Sequence, residues 1–157
     1  MLATPLEGTM LETLFNLMMP VHNLLRWVVV LVAAAAVVMA WAGVFTNAKW
    51  SGPNAKVGRF FTIAFDVQVL VGILVYVASP LIRGAFNNFG AAMGVRELRF
   101  FLVEHALIMI VAAALVHIGA ARGRKTNATL QPAIFYSLAV VAVIFGIDWS
   151  RPLLPGM

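Results

Sequence analysis

Four long apolar runs, separated by short polar or glycine-rich stretches, set the pattern of this chain. The first reads V-V-V-L-V-A-A-A-A-V-V-M-A-W-A-G-V-F and predicts a span over about 21–45. The second predicts a span over 60–79, stopped by Pro80. The third, over 97–121, sits within the longer helical stretch Arg96 to Lys125. The fourth covers 131–147, with Pro132 suited to its first turn. A helix needs about 20 apolar residues to cross the hydrocarbon of a bilayer. The predicted fold is therefore all-α: a polytopic, four-transmembrane-helix up-down bundle forming a single domain over 1–157.

Residues 1–20 are patterned differently. Leu11, Leu14, Phe15 and Met18 recur at helical spacing, predicting a short amphipathic segment too short to span. It is expected to lie at the membrane interface or to dock on a partner, with Pro20 opening the next helix. Glu7 and Glu12 precede the first apolar run and no basic cluster does, which is not a signal-peptide pattern. The proline-rich tail after Trp149 is blocked from continuing as helix.

Composition agrees. The chain is 62% hydrophobic, against roughly 45–50% in soluble domains. The absence of cysteine excludes disulfides, Cys-ligated zinc, iron–sulfur clusters and covalently attached c-type haem. The net charge of +5 does not point to nucleic acid, because the basic residues gather in loops. Lys49, Lys56 and Arg59 lie between spans one and two, and Arg122, Arg124 and Lys125 between spans three and four, with no acid among them. The opposite side mixes Arg83, Arg96, Arg99 and Arg151 with Glu7, Glu12, Glu97 and Asp148. The positive-inside rule then predicts a multi-pass protein of a bacterial inner membrane with both termini periplasmic.

Two faces are expected to look inward. The small residues Ala33 to Ala36 permit close helix approach, and Gln68, Gly72, Tyr76 and Ser79 form a polar and small stripe. Trp27, Trp41 and Trp149 fall where aromatic belts form.

The candidate chemistry lies in two groups. Spans one and three run parallel, so His22 and Arg26 share a leaflet with Glu104 and His105. One reading is a structural ion pair, Arg26 with Glu104, which offsets the insertion cost of both. The other is a b-type haem held by His22 and His105, with Arg26 or Arg99 pairing with a propionate. On the other leaflet, Asp66 and His117 form a candidate pair for proton relay or for a quinone headgroup. The plainer reading there pairs Asp66 with Arg59 or a loop lysine and lets His117 reach for the interface. No metal-ligand cluster, phosphate loop or nucleophile–base arrangement is present in the sequence, so the chain is not expected to be an enzyme by itself.

H-N-L-L-R-W at 22–27, D-V-Q-V-L-V-G-I-L-V-Y-V-A-S-P at 66–80 and E-H at 104–105 resemble a family of small bacterial four-helix membrane proteins of cytochrome-b-like type. The resemblance places His22, Arg26 and Trp27 in the first motif. Gln68, Gly72, Tyr76, Ser79 and Pro80 fall in the second, and Glu104 and His105 in the third. Asp66 stands where the family tends to have histidine, and a carboxylate is not a normal haem ligand. The leading functional expectation is an accessory subunit, without its own cofactor, of a larger respiratory or photosynthetic electron-transfer complex. The alternative is a haem b cytochrome exchanging electrons with quinone. A proton-coupled transporter is the third reading. It suffers because Asp66 and His117 are separated from Glu104 and His105 without a polar bridge.

Overall fold

The computed structural model describes the backbone of residues 5–149 and the side chains of 9–149; the proline-rich tail and the first four residues lie outside that range. In chain order the helices are α1 (Pro5–Phe45), α2 (Gly52–Ala78), α3 (Pro80–Phe86), α4 (Phe89–Gly94) and α5 (Arg96–Arg99). A π-helical turn, Phe100–Glu104, then leads into α6 (His105–Thr126), and α7 (Leu130–Gly146) follows. Helices α1, α2, α6 and α7 form the bundle. Neighbours round the ring are α1–α2, α2–α6, α6–α7 and α7–α1, so α1 and α6 face each other across the diagonal.

Three segments are long and apolar enough to cross a membrane: Thr9–Phe45, Gly52–Ala78 and Arg96–Thr126. The fourth, α7, has 17 residues and is about 25 Å long, slightly under the ~30 Å hydrocarbon thickness. The outer surface is apolar, with Leu31, Val38, Phe45, Ile73, Ile110 and Phe145 all largely exposed. Such a surface suits lipid, where the hydrogen bonds of the backbone must close within the helices.

The helix boundaries differ from the sequence expectation in three places. α1 does not restart at Pro20 but runs through it for 41 residues. Proline lacks the N–H that would reach the Asn16 carbonyl, a local loss. The helix survives it because long helical stretches flank it on both sides. At its N-terminal end Leu11, Leu14, Phe15 and Met18 are half-buried, while Met10, Glu12, Thr13, Asn16 and Leu17 are exposed. The amphipathic segment is thus real but continuous with the first span. Second, α2 begins at Gly52 with Pro53 in its first turn, so Lys56 and Arg59 ride on helix rather than loop. Third, the glycine-rich loop before Arg96 contains α3 and α4, capped by Ser79 on the Ile82 N–H and by Asn88 on the Ala91 N–H.

The core is built from aromatic rings on one side and small residues on the other. Ala33, Ala36 and Ala40 of α1 and Ala112, Gly119, Ala120 and Gly123 of α6 are buried. Into that space go Phe61 and Phe65 from α2 and Tyr136 from α7, with Phe61 5.2 Å from Tyr136 and 6.0 Å from Phe65, ring centre to ring centre. Of the alanine run, Ala33 and Ala36 turn inward and Ala34 and Ala35 outward, as helical spacing requires. Trp41 Nε1 donates to Ser137 Oγ at 3.0 Å, tying α1 to α7.

At the basic end, the two short loops are joined. Lys49 pairs with Ala128 in an isolated antiparallel bridge, and the Trp50 N–H donates to the Asn127 carbonyl at 3.2 Å. The Trp50 ring is buried against Gly58, Gly123 and Tyr136. Lys49 on the first loop, Arg122, Arg124 and Lys125 on the last turns of α6 rather than in a loop, and Lys56 and Arg59 on the first turns of α2 gather at this end of the bundle.

A methyl group on Gly119 would lie 2.8 Å from Tyr136 Cε1, whereas one on Gly84 meets open space. Gly119→Ala is expected to destabilise the detergent-solubilised bundle by about 1–3 kcal/mol, and Gly84→Ala to leave it unchanged or slightly more stable. Thermal unfolding followed by circular dichroism compares the two.

Candidate functional site

The stretch where α5 becomes α6 sets the geometry of the candidate site. A π-turn carries one extra residue, and here the His105 N–H donates to the Phe100 carbonyl, five residues back. On a regular helix, side chains pair at spacings of three or four. The widened turn instead brings Arg99 and Glu104, five apart, to 2.6 Å between Nε and Oε1. Arg99 also donates through Nη1 to the Met93 carbonyl at 3.2 Å, fastening α4 to the turn. Tyr76 on α2 donates its hydroxyl to the Leu102 carbonyl at 2.8 Å, inside the π-turn.

This arrangement corrects two expectations. The partner of Glu104 is Arg99, not Arg26, because the turn presents a closer guanidinium on its own segment. Arg99 is therefore already engaged and is not a spare propionate partner. The Arg26 guanidinium lies over the ring of its neighbour Trp27, 5.7 Å from the centroid.

His22 and His105 do meet. They approach across the bundle diagonal, with ring centroids 6.3 Å apart and planes at 73°. The two ends of this contact are held differently. His105 Nδ1 lies 2.7 Å from the Gly146 carbonyl, at the last residue of α7. The final carbonyls of a helix lack partners within it, and they form the negative end of its dipole. An Nδ1–H donor there caps α7, and Trp149 Nε1 does the same for the Ile144 carbonyl at 3.0 Å. Gly146 allows the approach, since a side chain on it would collide with Met109 and Ile108.

His22 is held from α2. Gln68 Nε2 donates to the His22 carbonyl at 3.1 Å and lies 3.3 Å from His22 Nε2. Gly72, one turn further on, opposes the His22 ring; a Cβ there would stand 3.2 Å from Cε1. The inward stripe of α2 thus does what its composition suggested: Gln68 and Ser79 are buried, Gly72 makes room, and Tyr76 bonds across to the π-turn. His22 Nδ1 and Gln68 Oε1 are buried without hydrogen-bond partners. Two unsatisfied polar atoms so close together are uncommon, because each forfeits its solvation.

The resemblance implies a b-type haem, and the residues can be tested against it. Two imidazoles from facing helices are the donor set such a group takes. The Gly146 carbonyl fixes the proton of His105 on Nδ1, the way a metal-binding imidazole is commonly oriented, leaving Nε2 as the lone-pair nitrogen. The donors fit, on condition that Gln68 releases His22 Nε2.

The second pair also forms. His117 Nε2 lies 2.8 Å from Asp66 Oδ1, linking α6 to α2. Asp66 is therefore not taken by Arg59 or a loop lysine. Both side chains are about half exposed, on the outer side of the bundle rather than in its core. No contact joins this pair to the His22–His105 group among the interactions described.

Sequence reading missed the partners more than the residues. Nothing in F-F-L-V-E announces a π-turn, and a spacing of five between Arg99 and Glu104 is not a helical signal. The carbonyl partner of His105 is backbone, which no side-chain pattern reveals. Gly146 near the end of the last apolar run was the available clue. Comparison of the chain with protein-family models, with curated proteins and with solved structures finds no match.

His105→Ala removes the donor from the carbonyl of a buried residue and is expected to lower stability by about 1–3 kcal/mol. Chemical or thermal unfolding in detergent measures it, and a fall below 0.5 kcal/mol would show that His105 does not cap α7.

Proposed function

We propose that this chain is a small, non-catalytic integral-membrane subunit of a quinol-oxidising electron-transfer assembly. It spans a bacterial inner membrane four times with both termini periplasmic. The observation that supports a packing role is that several of its inner polar side chains bond to other parts of the chain itself. Glu104 is held by Arg99, His105 by the Gly146 carbonyl, His22 by Gln68, and Tyr76 by the Leu102 carbonyl. These bonds tie polar side chains to neighbouring helices within the chain, and its exterior is apolar, fit for lipid and neighbouring subunits. Its basic end suits the cytoplasmic face by the positive-inside rule. The electron-transfer setting is carried by the resemblance to cytochrome-b-like membrane proteins.

One observation favours a second reading, a b-type cytochrome: the facing imidazoles of His22 and His105. When bound, haem would supply one-electron transfer. His22 and His105 would hold it, with the Gly146 carbonyl setting the His105 tautomer and Gly72 leaving space beside His22.

Two measurements on membranes solubilised in mild detergent separate the readings. The subunit reading expects the chain to migrate with larger redox proteins and its purified form to show no haem bands in a reduced-minus-oxidised spectrum. Migration alone at monomer size removes that reading. Bands of b type that vanish in both His22→Ala and His105→Ala establish the cytochrome instead.

A further inference from the structure

We propose that Asp66 and His117 form a binding site for the hydroxyl of a membrane-soluble hydroquinone, on the outer face of the bundle between α2 and α6. The site deepens the quinol-linked reading above, but it uses neither His22 nor His105 and stands apart from any haem.

The pair is oriented like a base made ready by a carboxylate. The Asp66 carboxylate accepts from His117 Nε2–H at 2.8 Å. That assigns the proton to Nε2 and leaves the lone pair on Nδ1, the logic by which an acid fixes a histidine tautomer. Neither residue has another partner among the described residues. With the His117 side chain 54% exposed and that of Asp66 45% exposed, the dyad opens outward.

Depth selects the ligand. Asp66 is seven residues along α2 from Arg59, and His117 is five residues along α6 before Arg122. At the helical rise these are about 10 Å and 8 Å inside the basic rim. Lysine and arginine reach back over such distances, but an imidazole is too short to do so. Water and lipid headgroups lie mostly outside this level, where ionisable residues are expensive to hold, pair with one another and mark candidate functional sites. The neighbouring exposed positions are apolar: Ile63 and Leu70 on α2, with the small Ala114 and Ala121 on α6. The exposed alanines put no bulky side chain beside His117 on its own helix face, and Nδ1 offers an acceptor to a ring hydroxyl. A molecule dissolved in hydrocarbon, flat and bearing a donor hydroxyl, meets all three conditions. The proposal concerns binding and orientation of that hydroxyl, with no electron transfer assigned to this pair.

The test uses the isolated full-length chain in lipid nanodiscs, with nitrogen-15-labelled histidine and a short-tailed hydroquinone kept reduced. Because no partner protein is present, failure here is distinct from failure of co-purification above. The expected result is a saturable movement of the His117 Nδ1 resonance. Asp66→Asn should weaken the apparent affinity about tenfold or more. The dimethyl ether of the same hydroquinone, which has no hydroxyl, should give no saturation. Three results overturn the proposal: a shift that only rises linearly as the compound partitions into lipid, equal affinity in Asp66→Asn, or equal binding of the dimethyl ether. The ether comparison uses the unaltered protein, so it decides even if Asp66→Asn fails to fold.

Discussion

Inside a bundle surrounded by lipid, a polar group has only the chain itself to bond with, and this constraint explains most of the unusual features here. The π-turn at Phe100–Glu104 is one of them. By widening the helix it brings Arg99 to Glu104, opens the Leu102 carbonyl to Tyr76 and aims His105 at the end of α7. Three separate obligations are met by one inserted residue. A regular helix through the same sequence would rotate Glu104 and His105 away from these partners. His22 Nδ1 and Gln68 Oε1, side by side and both buried without a hydrogen-bond partner, are the places where that constraint is not met.

Packing follows a matching division of labour. α1 and α6 offer alanine and glycine, and α2 and α7 supply the rings of Phe61, Phe65 and Tyr136. In lipid, helices gain little by hiding apolar surface from one another, since lipid tails are equally apolar. Close fit and polar links between helices carry the association instead. Gly119 and Gly123 matter for this reason: they admit the Tyr136 and Trp50 rings at contact distance.

The class of fold was legible in the sequence because it depends on length and hydropathy, which are additive along the chain. The four runs, the stop at Pro80 and the inward stripe of α2 could be read directly. The inward turn of Ala33 and Ala36 needed only helical periodicity. Pro20 misled because proline is a strong signal locally, yet its loss of one hydrogen bond is small beside the long helix on either side. For the candidate site, the right residues were visible as polar positions in apolar runs, and the meeting of His22 with His105 followed from parallel spans. The pairing was less visible. Arg26 was the sensible partner for Glu104 under regular helix geometry, and only the widened turn makes Arg99 closer. The neighbours of His22 and His105 depend on a backbone carbonyl and an amide from two further helices, which one sequence does not bring together.

The bridge between Lys49 and Ala128 has a consequence for how the protein is made. Helices α1 and α2 form one hairpin, and α6 and α7 a second; the bridge and the Trp50 ring close one onto the other. Gly123, which receives the ring, follows Trp50 by 73 residues. At a synthesis rate of about 5–20 residues per second, the first hairpin waits several seconds for the second. During that interval Trp50 lacks its final pocket, and a tryptophan at a helix end favours the headgroup layer. The same side chain therefore serves first as a temporary anchor holding a half-built protein at its proper depth, and afterwards as the bolt between its halves.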